Sequence, residues 1–163
     1  MKESHAVILD DADYRIISAL SGDARASDVS IGEHINLSSS SVARRRKAME
    51  DAGVIAGYEV RLDPARLGFS GVVVVSVELT SQAESVLVDF EREVLKSPAI
   101  SYCGFVSGDT DFLLLIHVSS FNDYDAIYRR ELSILPHVAR IRSSFVLRQV
   151  ANRINPPAIL TRR

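Results

Sequence analysis

This chain is poor in the features that most quickly betray a chemistry. Its 163 residues hold one cysteine, Cys103, which excludes an internal disulfide and fits a reducing cytoplasm. We read that thiol as a small buried hydrophobe inside a strand. The longest apolar runs, residues 72–75 and 112–116, are far too short to cross a bilayer, so no membrane role is expected. No basic stretch followed by an apolar one opens the chain, so no secretory signal is expected either. The histidines, His5, His34, His117 and His137, lack metal-ligand spacing, and solvated or packed roles are their default. There is no glycine-rich phosphate loop and no nucleophile elbow. The residues therefore recommend neither a cofactor nor a catalytic constellation.

What is present is the balance of a folded, soluble chain, 47% hydrophobic and 25% charged. A net charge of −2 gives no global sign of a nucleic-acid partner, but the local distribution does. Arg44, Arg45, Arg46 and Lys47 are consecutive and follow four serines, Ser38 to Ser41, with Val42 and Ala43 between. Standing alone, such a run is most simply a solvated helix face. Its surroundings change that reading.

Residues 10–22 carry apolar positions at Ala12, Ile16, Ala19 and Leu20, a helical period, with Asp10 as cap and Asp13 in the first turn. Ser27 caps a shorter helix bearing Ile31 and Ile35, with Gly32 inside it. Ser38 caps a third helix to about Ala52, where Gly53 supplies a left-handed stop. Three short helices, the last two joined tightly, outline a helix-turn-helix unit. Tyr58, Val60 and Leu62 then alternate with Glu59 and Arg61, predicting a half-buried strand and a winged version of that unit. Asp63, Pro64 and Gly68 punctuate a linker.

The second half changes rhythm. A valine-rich strand over 70–80 precedes a helix marked by Ala83, Val86, Leu87, Phe90 and Val94. Strands over 99–106 and 111–118 flank a turn of Ser107, Gly108, Asp109 and Thr110. Tyr124, Ile127, Tyr128, Leu132 and Leu135 mark a second helix, ended by Pro136, before a last alternating strand over 139–147. The order is β-α-β-β-α-β, a ferredoxin-like arrangement. Its sheet has helices on one face only, and a dimer is the simplest cover for the other. The reading is thus an α+β protein. A winged helix-turn-helix domain occupies 1–62 and a linker 63–69. A βαββαβ domain for ligand sensing and oligomerisation occupies 70–163.

Particular residues also carry a family resemblance. Leu9-Asp10, Asp13, Ile16-Ile17, Leu20, Asp23 and Arg25 are similar to the first-helix pattern of Lrp/AsnC transcriptional regulators. Leu37-Ser38, Val42, Arg45, Met49-Glu50, Gly53-Val54-Ile55 and Gly57-Tyr58 resemble their recognition helix and wing. Asp63-Pro64 and Leu67-Gly68 look like the family linker. Val106-Ser107-Gly108-Asp109 with Asp111 looks like the sensor hairpin, and Leu135-Pro136 with Val138 like the approach to the last strand. The chain departs from the pattern at Ser39 and Ser41, at Arg46 (usually aliphatic), at Gly32 (usually alanine) and at His137 (usually glycine). The resemblance implies a dimer, often built into octamers, whose DNA affinity or assembly responds to an amino acid or related metabolite.

Two candidate sites follow. In a helix-turn-helix, the first turns of the recognition helix reach base edges while neighbours hold phosphates. That assigns Ser38, Ser39, Ser40, Ser41, Arg44, Arg45 and Lys47 to double-stranded DNA. Arg46, at helical spacing from Val42 and Met49, belongs on the apolar face, so its stem lies along the core and its head reaches the edge or a carboxylate. The second site is the hairpin of Ser107, Gly108, Asp109, Thr110 and Asp111. Sequence physics makes it a competent turn, and the resemblance makes it the border of an effector pocket between subunits. Two alternatives use the same fold: an enzyme similar to the sirohaem decarboxylases, and a metabolite sensor whose DNA domain has degenerated. No tryptophan is present, which counts against the first.

Overall fold

The computed structural model describes residues 8–161; His5 lies outside them. The chain divides into two compact units, one running to Arg61 and including the segment from Ala151 onward, the other spanning Leu62–Val150. The segment after Val150, assigned from the sequence to the second domain, thus groups with the first unit.

The first unit holds three helices, α1 (Asp11–Gly22), α2 (Asp28–Ile35) and α3 (Ser39–Asp51), each opened by the expected cap. At α1 the cap is reciprocal: Asp10 accepts the Asp13 amide at 3.0 Å while Asp13 accepts the Asp10 amide at 3.0 Å. Asn36, at φ 57°, ends α2 in the left-handed conformation that asparagine tolerates. Gly53, at φ 72°, ends α3 in a Schellman turn, in which the Val54 amide reaches back to the Met49 carbonyl at 2.9 Å. Ile16, Leu20, Ile31, Ile35, Val42 and Met49 form the core that the helical periods predict. Gly32 is buried where α2 meets the turn, and a Cβ there would stand 2.5 Å from the Leu37 carbonyl oxygen. Glycine thus allows two backbones to touch.

The expected wing is not formed. Residues 56–63 have no ladder partner among the described residues, and Val60 and Leu62 are exposed. Alternation supplies a strand-like pattern, but a strand also needs a neighbouring strand for its hydrogen bonds, and this stretch has none.

The second unit contains β1 (Gly71–Leu79), α4 (Glu84–Val94), β2 (Ile100–Phe105), β3 (Phe112–Val118), α5 (Phe121–Ile127) and β4 (Val138–Phe145). A π-helical turn, Tyr128–Leu132, continues α5. The sheet is antiparallel with order β2-β3-β1-β4, the ferredoxin-like arrangement. Val73, Val75, Val77 and Leu79 point to one face and share a core with Phe90 and Val94 of α4 and Tyr124, Ile127 and Leu132 beyond it. The opposite face presents Val72 and Val74 from β1 and Leu113, Leu115 and His117 from β3. No helix among the described residues of this unit exceeds eleven residues, and none in the chain is long and apolar enough to cross a membrane.

Candidate nucleic-acid interface and effector hairpin

The four consecutive cations of α3 have four different fates, because each residue turns about 100° around the helix axis. Arg45 points inward. Its Nη1 lies 2.8 Å from both Asp13 Oδ1 and Asp10 Oδ2, so it ties the middle of α3 to the reciprocal cap of α1. Asp13 is 8% exposed, and these carboxylates, Asp13 foremost, hold the guanidinium proton more firmly than usual. Arg45 is therefore a bridge inside the unit, its guanidinium turned to the α1 carboxylates. The sequence put Asp10 and Asp13 at the helix start but could not show what lay across from them.

Arg46 lies, as the periodicity predicts, at the border of the core. It reaches Asp28 of α2 at 3.3 Å and Glu50 at 3.3 Å, and its Nε donates to the Tyr58 hydroxyl at 2.7 Å. The Tyr58 hydroxyl in turn donates to Glu50 at 2.7 Å, and the guanidinium carbon sits 4.8 Å from the Tyr58 ring centroid. Hydrogen bonding from Tyr58, then from Arg46, holds the Glu50 carboxyl below its ordinary range. Burial, followed by the bond to Glu50, raises the Tyr58 phenol. Tyr58, expected in a strand, instead packs over the cation next to α3.

Arg44 and Lys47 face outward. Lys47 pairs with Asp51 one turn on at 2.6 Å, both groups well exposed. Such a pair is strongly screened by water and easily exchanged for a phosphate. Among the described residues Arg44 makes no hydrogen bond or ion pair. Of the serines, Ser38 is the cap, its hydroxyl accepting the Ser41 amide at 3.2 Å and standing 3.2 Å from the Ser40 hydroxyl. Ser41 is half-buried, while Ser39 and Ser40 are exposed. The structure thus gathers Ser39, Ser40, Ala43, Arg44, Lys47 and Ala48 on one solvent-facing stripe.

The hairpin between β2 and β3 also divides. Asp111 is 6% exposed; its Oδ2 accepts the Leu79 amide at 2.7 Å and its Oδ1 the Gln82 side-chain amide at 2.7 Å. The Thr110 hydroxyl donates to the Val77 carbonyl at 2.7 Å. These two residues fasten the hairpin to the end of β1. Gln82, the partner of Asp111, had no marking in the sequence. Ser107, Gly108 and Asp109 form the exposed tip, with Gly108 at φ 123°, a conformation that a side chain resists. At the base, Phe105 and Phe112 sit opposite each other with ring centroids 5.3 Å apart. Beside them lies a cleft of about 190 Å³ lined also by Glu91, Val94, Leu95 and Cys103. Burial raises the Cys103 thiol, which lies within β2 as expected but is half-buried where full burial was expected. His137 adopts φ 61°, the left-handed region at the position where the family pattern usually has glycine.

Comparison with known proteins follows the same division. Residues 9–50 match the model of the AsnC-type helix-turn-helix domain, and residues 72–156 that of the Lrp/AsnC ligand binding domain. The Bkd operon transcriptional regulator of Pseudomonas aeruginosa is 35% identical over 149 residues, covering 91% of this chain and 97% of that protein. The proline dehydrogenase transcriptional activator of Rhodobacter capsulatus is 34% identical over 152 residues, covering 93% and 98%. Among solved structures, a transcriptional regulator from Neisseria meningitidis in complex with L-Met superposes with a TM-score of 0.87 at 28% identity, covering 94% of this chain and 100% of that one.

Proposed function

Because this chain belongs to the Lrp/AsnC family of transcriptional regulators, we propose that it binds double-stranded DNA through α3 and that an amino-acid-like effector modulates that binding or the protein's assembly. The observation that carries the reading is the outward stripe of α3: hydroxyls at Ser39 and Ser40, an unpaired Arg44 and an exchangeable Lys47, on a helix whose position is fixed from behind by Arg45 and Arg46. Capped helices and a closed core support a working DNA domain rather than a degenerate one. The names of the relatives favour a regulator over a tetrapyrrole enzyme on the same fold.

For the effector, the tip of Ser107, Gly108 and Asp109 offers an open backbone amide and a free carboxylate. The adjoining cleft, about 190 Å³, is small beside ligand sites of roughly 300–1,000 Å³. A complete pocket therefore needs a second subunit. The helix-free sheet face with Val72, Val74, Leu113 and Leu115 supplies a surface on which a dimer can form, and an octamer is the further assembly that family membership suggests. Its place of action is the cytoplasm, where bacterial DNA is reached.

The test is a mobility-shift titration on the DNA upstream of the protein's own gene, against competitor DNA of unrelated sequence. Preferential binding is expected, with affinity falling linearly in log–log against salt by about 0.9 for each phosphate contact. Binding without preference over competitor overturns the proposal. A thermal-shift screen of the standard amino acids identifies the effector, since a ligand of the native state raises its apparent stability.

A further inference from the structure

We infer that Arg44 alone sets the arginine-dependent base specificity of α3, reading a guanine in the major groove; the inference rests on the proposal that α3 enters DNA.

The argument is by elimination and then by position. Arginine is the side chain best matched to the O6 and N7 acceptors of guanine, because its fork presents two parallel donors. Three arginines occur in succession on α3; the sequence sets Arg46 at the border of the core and gives Arg44 and Arg45 equal claims. The structure removes two. Arg45 commits Nη1 to Asp13 and Asp10, and Arg46 commits Nε and Nη1 to Tyr58, Glu50 and Asp28. Releasing either would leave carboxylates at 12% or 32% side-chain exposure without their cation. Arg44 has no such commitment among the described residues.

Position then favours a base over a phosphate. Arg44 lies on the side of α3 turned away from the buried Val42 and Met49, one turn after Ser40 and one turn before Ala48. Small side chains at Ser40, Ala43 and Ala48 let the helix sit close to the groove floor, where the forked Arg44 side chain among them reaches base edges. Lys47, a compact charge already shared with Asp51, suits a phosphate.

The experiment selects duplexes from a synthetic library of randomised sequence using the full-length wild-type protein and the Arg44→Ala and Lys47→Ala variants. Affinities are then measured by fluorescence anisotropy on the selected duplex and on one carrying A·T in place of the preferred G·C pair, across several salt concentrations. Wild type should prefer the guanine duplex by about 5- to 150-fold. Arg44→Ala should bind both duplexes equally while keeping its melting temperature. Lys47→Ala should keep the preference, lose affinity for both duplexes alike and flatten the salt slope by about 0.9. An Arg44→Ala protein that retains the preference, with or without a flatter salt slope, overturns the inference but leaves DNA binding standing. A wild-type protein that enriches no sequence overturns the proposed function itself, and this inference with it.

Discussion

Replacing Arg45 with alanine should damage folding and leave DNA recognition intact, the reverse of what its place in a basic cluster suggests. The guanidinium contacts Asp13 and Asp10 at 2.8 Å each, and a hydrogen bond to a charged group contributes about 1.5–3 kcal/mol net. Asp10 is half exposed, so its share is heavily screened, while Asp13 is almost closed to solvent. Against this, the buried Arg45 Nε has no acceptor among the described residues, and its removal recovers part of a penalty of about 1–3 kcal/mol. Asp13 also keeps the Asp10 amide as a donor. The balance is a loss of roughly 2 kcal/mol. For a unit of this size that lowers the melting temperature by about 8–16 °C. Calorimetry of the full chain measures the loss, and a double-mutant cycle with Asp13→Asn isolates the pair, with a coupling of about 1 kcal/mol or more. DNA affinity, measured well below the lowered melting point, should stay within about twofold of wild type. An Arg45→Ala protein that melts like the wild type yet binds DNA tenfold more weakly would refute the bridge and return Arg45 to the interface.

The two hairpin aspartates should separate in the same way. Asp111→Ala strands the buried Leu79 amide and costs about 1–3 kcal/mol by urea denaturation, whereas Asp109→Ala leaves the midpoint unchanged and abolishes the thermal shift given by the effector. Equal effector affinity in Asp109→Ala and wild type would make the tip a turn and nothing more. His137→Gly should raise stability by about 0.5–1 kcal/mol. It relieves a left-handed residue that costs about 1–2 kcal/mol and gives back part of that as chain entropy; a lower urea midpoint would contradict this. Acid should weaken the first unit. Asp10, held low chiefly by the Asp13 amide, and Glu50, held low chiefly by Tyr58, both have folded pKa values below their unfolded ones. Their contribution is fully present above about pH 4.5 and is lost as pH falls through the lowered values. Asp10→Asn should blunt the decline in melting temperature between about pH 4.5 and 3.

How much of this was legible in the sequence depended on the range of the interaction involved. Ser27 and Ser38 marked the starts of α2 and α3 because a cap acts over three residues. The alternation of Val73, Val75, Val77 and Leu79 gave β1 its inward face for the same local reason. The topology followed from the order of elements. The ion pairs of Arg45 had no local marker because its partners lie 32 and 35 positions away, and only packing brings α1 against α3. Thr110 and Asp111 were grouped with Asp109 because all are turn residues, yet only the sheet register decides that Asp111 turns inward towards Leu79. The strand at Tyr58, Val60 and Leu62 failed for want of a neighbour, since alternation describes one edge of a ladder that takes two. The π-helical turn after α5 has no local marker at all.

The contact at Gly32 has a bearing on how such a protein changes its target. Because α2 and the turn before α3 meet backbone against backbone, no side chain acts as a spacer between them. A joint of that kind acts as a stop, because backbone atoms in contact have no rotamers through which to yield. α3 starts at that joint, with the Ser39 amide nitrogen 3.4 Å from the same Cβ position, and its exposed side chains lie outside the contact. On the proposed reading of α3, the side chains of Ser39, Ser40, Ala43 and Arg44 can be exchanged like type in a fixed frame, so new operator sequences are reachable by substitutions on one stripe without re-engineering the unit that carries it.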